Sequence, residues 1–208
     1  MRPGGSLRAL LCRFGVVALM LAAGTAGAAD LATLLGRIAE AYGAAGQPAT
    51  IVQTGQTVSN ARGEGALRRA WRGPGHFRID LHYASGVETR ILNGSQAWQH
   101  NRQMSDAFRG ALQLQAARLA LPWNLLAARD TLRDAGEQTL ADGRILHFVE
   151  LPLDAGLRLV AEVDPASGRI LRSRGIISGE RGGEMVFGTV YDDFRTTQGR
   201  LYPAVEHH

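Results

Sequence analysis

The residues whose types could do chemistry are few, and their spacing argues against most of the chemistry they suggest. The six histidines are His76, His82, His100, His147, His207 and His208. His76 and His82 share a face of one predicted strand but stand about 20 Å apart at strand rise, too far to share a metal. His207 and His208 read as a frayed tail or the vestige of a tag. Asp192 and Asp193 are adjacent on a predicted strand, so their carboxylates point to opposite faces and cannot work as a paired acid and base. Arg68, Arg69 and Arg72 form a local basic cluster, read as a solvated face or as a site for one functional arginine.

Motifs for the common reactions are missing. The sequence has no His-Glu-x-x-His, no Gly-x-Ser-x-Gly, no phosphate loop and no dinucleotide fingerprint. Gly63-x-Gly65 and Gly73-x-Gly75 lack a third glycine and a following helix, so both are turns. Asn93-Gly94-Ser95 matches a glycosylation acceptor but is better explained as a hairpin. No catalytic residue, metal or cofactor is expected, and the chain is expected not to be an enzyme. A hydrolase with a dispersed site is the remote third alternative.

Composition points the same way. The chain has 208 residues, 45% apolar and 20% charged, which suits one globular domain. Its formal charge is +4, but three of the arginines, Arg2, Arg8 and Arg13, lie at the amino terminus. There is no lysine, and without those three arginines the balance falls to +1, no footprint for nucleic acid.

Those arginines open a predicted secretory signal peptide, residues 1–28. Phe14 to Ala23 is a short apolar core, and Ala26-Gly27-Ala28 supplies the small residues of a peptidase site, with cleavage after Ala29 nearly as suitable. The core is too short for a membrane span, which needs about 20 residues. Cys12, the only cysteine, precedes the core and is misplaced for a lipid anchor. The mature chain, residues 29–208, is expected to be one soluble periplasmic domain without disulfides, and a monomer.

Asp30 is the expected cap of a helix to about Ala44, with Leu31, Leu34, Leu35, Ile38 and Tyr42 on one face. Strands are predicted at 50–60, 65–72, 76–83, 87–92 and 95–100, with Asn93-Gly94 as a hairpin turn. In 76–83, Phe77, Ile79, Leu81 and Tyr83 share a face. A helix capped by Ser105 runs to Ala120 with Phe108, Leu112, Ala116 and Leu119 apolar. Pro122 opens a shorter one through Arg129, beside Trp123. Strands follow at 131–140, 145–151, 157–163, 170–178, 184–194 and 200–206. The fold class is mainly β with α: one strongly curved antiparallel sheet of about ten strands, an amino-terminal helix and a helical segment inserted mid-chain. Some strands, such as 145–151, are apolar on both faces. Either helices and a second sheet cover the two faces, or one face lines a cavity.

Gly65 to Ile79 (GALRRAWRGPGHFRI) and Thr89 to Trp98 (TRILNGSQAW) resemble the periplasmic outer-membrane lipoprotein carriers, the LolA-like family. So do Leu157 to Val163, the turn Asp164 to Gly168, Ile170 to Arg174, and the close through Tyr191-Asp192-Asp193-Phe194-Arg195 and Leu201-Tyr202-Pro203. The resemblance implies an unclosed half-barrel with a helical lid over an apolar cavity that takes lipoprotein acyl chains or other lipids. Membrane-bound donor and acceptor proteins are its implied partners. Trp71, Phe77, Ile79, Leu81, Tyr83, Ile91 and Trp98 are the expected cavity walls; Phe108, Leu112, Leu119 and Trp123 are the expected lid. The family carries a latch arginine directly before the turn proline. Gly73 stands there in this chain, and Arg72, one residue earlier, is the candidate latch. A lipid or lipoprotein carrier is therefore the first functional expectation. A non-catalytic module sensing envelope lipids or binding another protein on the same fold is the second.

Overall fold

The computed structural model describes residues 23–43, 46–154, 156–179 and 182–208. The predicted signal peptide lies largely outside them. Helix α1 spans Ala23–Ala41. It begins ahead of Asp30, which lies within the helix and does not cap it. The stretch before Asp30 is rich in alanine, the best helix former, and continues the helix through the predicted peptidase site.

The strands form two sheets where one was expected. The first contains β1 (Ile51–Ser59), β2 (Gly63–Trp71), β3 (His76–Tyr83), β4 (Gly86–Asn93), β5 (Gln96–Gln99) and β6 (Arg102–Gln103). The second contains β7 (Arg133–Thr139), β8 (Ile145–Asp154), β9 (Leu157–Val163), β10 (Ile170–Ser178), β11 (Glu184–Thr197) and β12 (Arg200–His207). Each is a six-stranded antiparallel meander in sequence order. The ladder breaks between β6 and β7, where α2 (Asp106–Leu119) and α3 (Leu121–Ala127) intervene, and it does not join β1 to β12. The half-barrel is unclosed. His207 is no frayed tail, since it pairs with Val190 across β11 and β12.

Helix α2 is wedged between the sheets. Ser105 caps it, its hydroxyl accepting from the Phe108 N–H at 3.4 Å. Leu112, Ala116 and Leu119 pack on the first sheet; Leu114 and Ala117 join Leu121 and Leu125 of α3 against the second. Close approach to the second sheet depends on Gly175: a Cβ there would sit 3.0 Å from both Leu114 Cδ1 and Arg118 Nη2.

Helix α1 packs Leu34, Leu35, Ile38 and Tyr42 into the second core, as their spacing predicts. The Tyr42 hydroxyl accepts from the Ile170 N–H at 3.0 Å, and Arg37 donates to the Pro165 carbonyl. Gly168 permits this contact: its φ is +70°, and a Cβ would stand 2.4 Å from the Arg37 carbonyl oxygen.

The two-faced strands have a physical explanation that neither sequence alternative supplied. In β9, Leu159, Ala161 and Val163 face the helices. Val160 and Glu162 lie on the other face yet are also buried. Long arginines cover that face. Arg174 pairs with Glu162 at 3.0 Å and lies 5.5 Å from the Phe148 ring centre, and Arg158 reaches Glu150 and Glu184 at 3.3 and 2.7 Å. Arginine stems shield apolar surface while their heads stay wet.

Candidate functional site

The register of the first sheet decides which residues face α2. Trp71 pairs with Phe77, and Phe77 with Leu92. Leu92 in turn pairs with Ala97. Trp71, Phe77, Ile79, Leu81, Leu92 and Ala97 form one buried cluster with Leu112, Ala116, Leu119 and Trp123, and Tyr83 and Phe108 pack at its margin. Two expected wall residues are misplaced. Ile91 pairs with Trp98 on the opposite face of the sheet, and Leu92 and Ala97 take the inward positions. Tyr83 and Gly86 face each other across a two-residue turn, so the inward parity switches from odd numbers in β3 to even numbers in β4.

This cluster is filled. Trp71, Phe77, Leu92 and Leu112 are only 1–2% exposed, beneath the helices meant to be their lid. An open volume lies to one side, at the unladdered seam between β1 and β12. It is a cavity of about 80 Å³. Ile51 contributes from β1, Leu119 from the end of α2, and Leu121, Pro122 and Trp123 from α3. Ile170, Leu201 and Pro203 close it from the second sheet. Of the predicted site residues, only Leu119 and Trp123 line it.

Six polar residues share the lining: Tyr42, Gln53, Arg118, Tyr191, Tyr202 and Glu206. A clasp joins the sheets beside the cavity. Arg69 of β2 donates to both Glu206 oxygens, at 2.9 and 2.5 Å, and to the Gln53 side-chain oxygen at 2.5 Å. Burial would raise the Glu206 pKa, but the Arg69 hydrogen bonds and charge outweigh it and hold the carboxyl below its ordinary value. Burial pulls the neighbouring His208 down, so it stays neutral near pH 7.

Arg118 projects from the apolar side of α2. Its Nε donates to Ser173 Oγ at 3.3 Å and its Nη2 to the Phe187 carbonyl. Burial lowers its pKa, opposed by Tyr191 and Glu206. Ser173 Oγ lies 2.7 Å from the Tyr191 hydroxyl. Burial pushes the Tyr191 pKa up to about 12, so this phenol keeps its proton at physiological pH.

Arg72 is not placed to act as a latch. It is exposed, points away from the face that holds Trp71, and its side chain makes no hydrogen bond or ion pair among the described residues. Within the basic cluster it is Arg69 that faces inward. Its parity matches Leu67 and Trp71, a signal legible in the sequence. Arg118 carried a signal too, since it falls between Leu114 and Leu121 on the apolar side of the helix. Glu206 carried none, because its partner is 137 residues away. The remaining candidates lie apart. His76, His82 and His100 are exposed, and His147 is held between Asp134 at 2.9 Å and Glu137 at 3.2 Å. Asp192 and Asp193 are exposed on β11.

No family model matches the chain, and no curated protein does. Among solved structures it is similar to the crystal structure of the LolA superfamily protein NE2245 from Nitrosomonas europaea. The TM-score is 0.51 at 14% identity, over 84% of this chain and 86% of that one. The chain has a LolA-like fold. The half-barrel, the amino-terminal helix and the mid-chain helices expected from the sequence resemblance are all present. Within this LolA-like frame, that cavity is at the strand seam, beside Arg69, Arg118 and Glu206. Among the described residues, no helix is long and apolar enough to cross a membrane.

Proposed function

We propose that the mature chain is a periplasmic carrier for lipids or lipoprotein acyl chains, which enter at the β1–β12 seam and lodge beneath α2 and α3. The supporting observation is the seam cavity itself. It is walled mainly by aliphatic and aromatic side chains, lies where the backbone ladder is interrupted, and adjoins the larger apolar cluster under α2. The signal-like residues 1–28 favour export, and the LolA-like fold favours carriage over catalysis. Membrane-bound partners would supply and receive the cargo.

The cavity of about 80 Å³ is a closed state of such a carrier. Sites for drug-sized ligands run to roughly 300–1,000 Å³, so an acyl chain requires α2 and α3 to move off the first sheet. Each methylene buried returns about 0.8 kcal/mol, which offsets the contacts given up in the cluster. The test is mass spectrometry of lipid extracted from purified mature protein, together with titration by N-phenyl-1-naphthylamine, an apolar fluorescent probe. Co-purified lipid and saturable probe binding are expected. A protein that carries no lipid and binds no probe overturns the proposal.

A further inference from the structure

The polar groups around the seam cavity have an imbalance that an apolar container does not need. Two side chains that line it have donor hydrogens with no acceptor among the described residues. Arg118 uses Nε and one Nη2 hydrogen, leaving its Nη1 hydrogens unpaired. The Tyr42 hydroxyl accepts from Ile170 and has no acceptor for its own hydrogen. Trp123 Nε1 is also unpartnered, but it is sealed from the open space by its neighbours. The acceptors, in contrast, each have a partner: Arg69 donates to both Glu206 oxygens, and the Tyr191 and Ser173 hydroxyls bond each other. Charge follows the same sign. Two guanidinium groups face one carboxylate, and Arg118 has no ion-pair partner among the described residues.

A partly buried cation with spare donors lacks an acceptor-rich anion. The walls around it are apolar, so a free inorganic ion would be poorly housed. The inner face of β11 also stays apolar past Arg118. Phe187 and Met185 share the parity of Tyr191 and remain 41% and 49% exposed, an uncovered track for a hydrocarbon tail.

We infer that the seam selects a single-chain anionic amphiphile of the fatty-acid type, its carboxylate held by Arg118 with Tyr42 as a further donor. This rests on the carrier reading and adds to it a preference for one head group.

The test compares dodecanoate, dodecanol and dodecylamine, which share a tail, as competitors of N-phenyl-1-naphthylamine on the mature protein at neutral pH. A charge-assisted hydrogen bond predicts dodecanoate tighter than dodecanol by about 10- to 100-fold, with the amine weakest. Arg118→Met erases the ranking, whereas Arg118→Lys keeps its order. Equal competition by the three heads on the wild-type protein overturns this inference while leaving the carrier reading intact. So does a ranking that survives in Arg118→Met. Failure of the probe to bind removes the carrier reading, and this inference with it. The wild-type comparison alone decides the matter should Arg118→Met not fold.

Discussion

The two sheets offer α2 unlike surfaces. The inner face of the second is aliphatic over β8 and β9, with Val149, Leu151, Leu159, Ala161 and Val163, and three helices pack on that part. The inner face of the first is aromatic around Trp71 and Phe77, and among the described residues α2 with the start of α3 covers it. It also holds a charge. Glu88, 3% exposed, is bonded by Arg90, Arg62 and Gln99 at 2.6, 2.6 and 2.9 Å. Moving α2 would uncover the whole first core but only part of the second. On the carrier proposal, the second sheet would be the fixed core and the first the wall that its cover leaves.

The sharpest way to break this comparison is to truncate one core residue from each sheet. Phe77→Ala costs about 3–5 kcal/mol and enlarges the space under α2, so urea unfolding shifts down while probe binding rises. Leu159→Ala costs about 2–5 kcal/mol with no gain in binding. A gain in both variants, or in neither, erases the distinction between wall and fixed core.

The clasp between the sheets comes next. Arg69→Met leaves the Glu206 carboxylate partly buried and unpaired, at about 3 kcal/mol. Arg69→Met combined with Glu206→Leu recovers most of that in the same urea experiment. A double variant no better than the single one would show that the pair does not couple the sheets.

Acid should weaken the first sheet and the seam before the second core. Arg78 hydrogen bonds lower the Asp80 pKa against the pull of burial; at Glu88 and Glu206 burial is the largest influence, yet their arginine partners still win. A carboxyl with a depressed folded pKa lends stability that is fully present above its unfolded pKa of about 4.3 and is lost as pH falls through the folded value. Thermal melts should therefore be flat from neutrality to about pH 5 and fall below it. Glu206→Gln should reduce the steepness of that fall. The smallest effect is expected at Arg72, where Arg72→Ala should change stability by less than about 0.5 kcal/mol and leave probe binding unaltered.

The strand alternation in β3 was legible because one face packs and the other is wet. Its bounds, 76–83, match the prediction. The inward position of Leu92 was legible too, but only by counting register through the Ala84-Ser85 turn; the expected wall residue Ile91 lies on the other face. The seam was not legible. Arg69, Arg118 and Glu206 meet because two sheet edges approach without pairing, and no local pattern records that approach. Nor could local pattern show that arginine stems, and not a second layer, cover the outside of β9.

Gly175 gives the seam a mechanical meaning. Leu114 and Arg118 rest on a position with no side chain, so the gap between α2 and the second sheet is set by an absent methyl group. Gly175→Ala would act as a shim one carbon thick, pressing on Leu114 and Arg118 together. The spacing of α2 on the second sheet is thus tunable at one codon, and the change reaches the seam through Arg118, which lines its cavity.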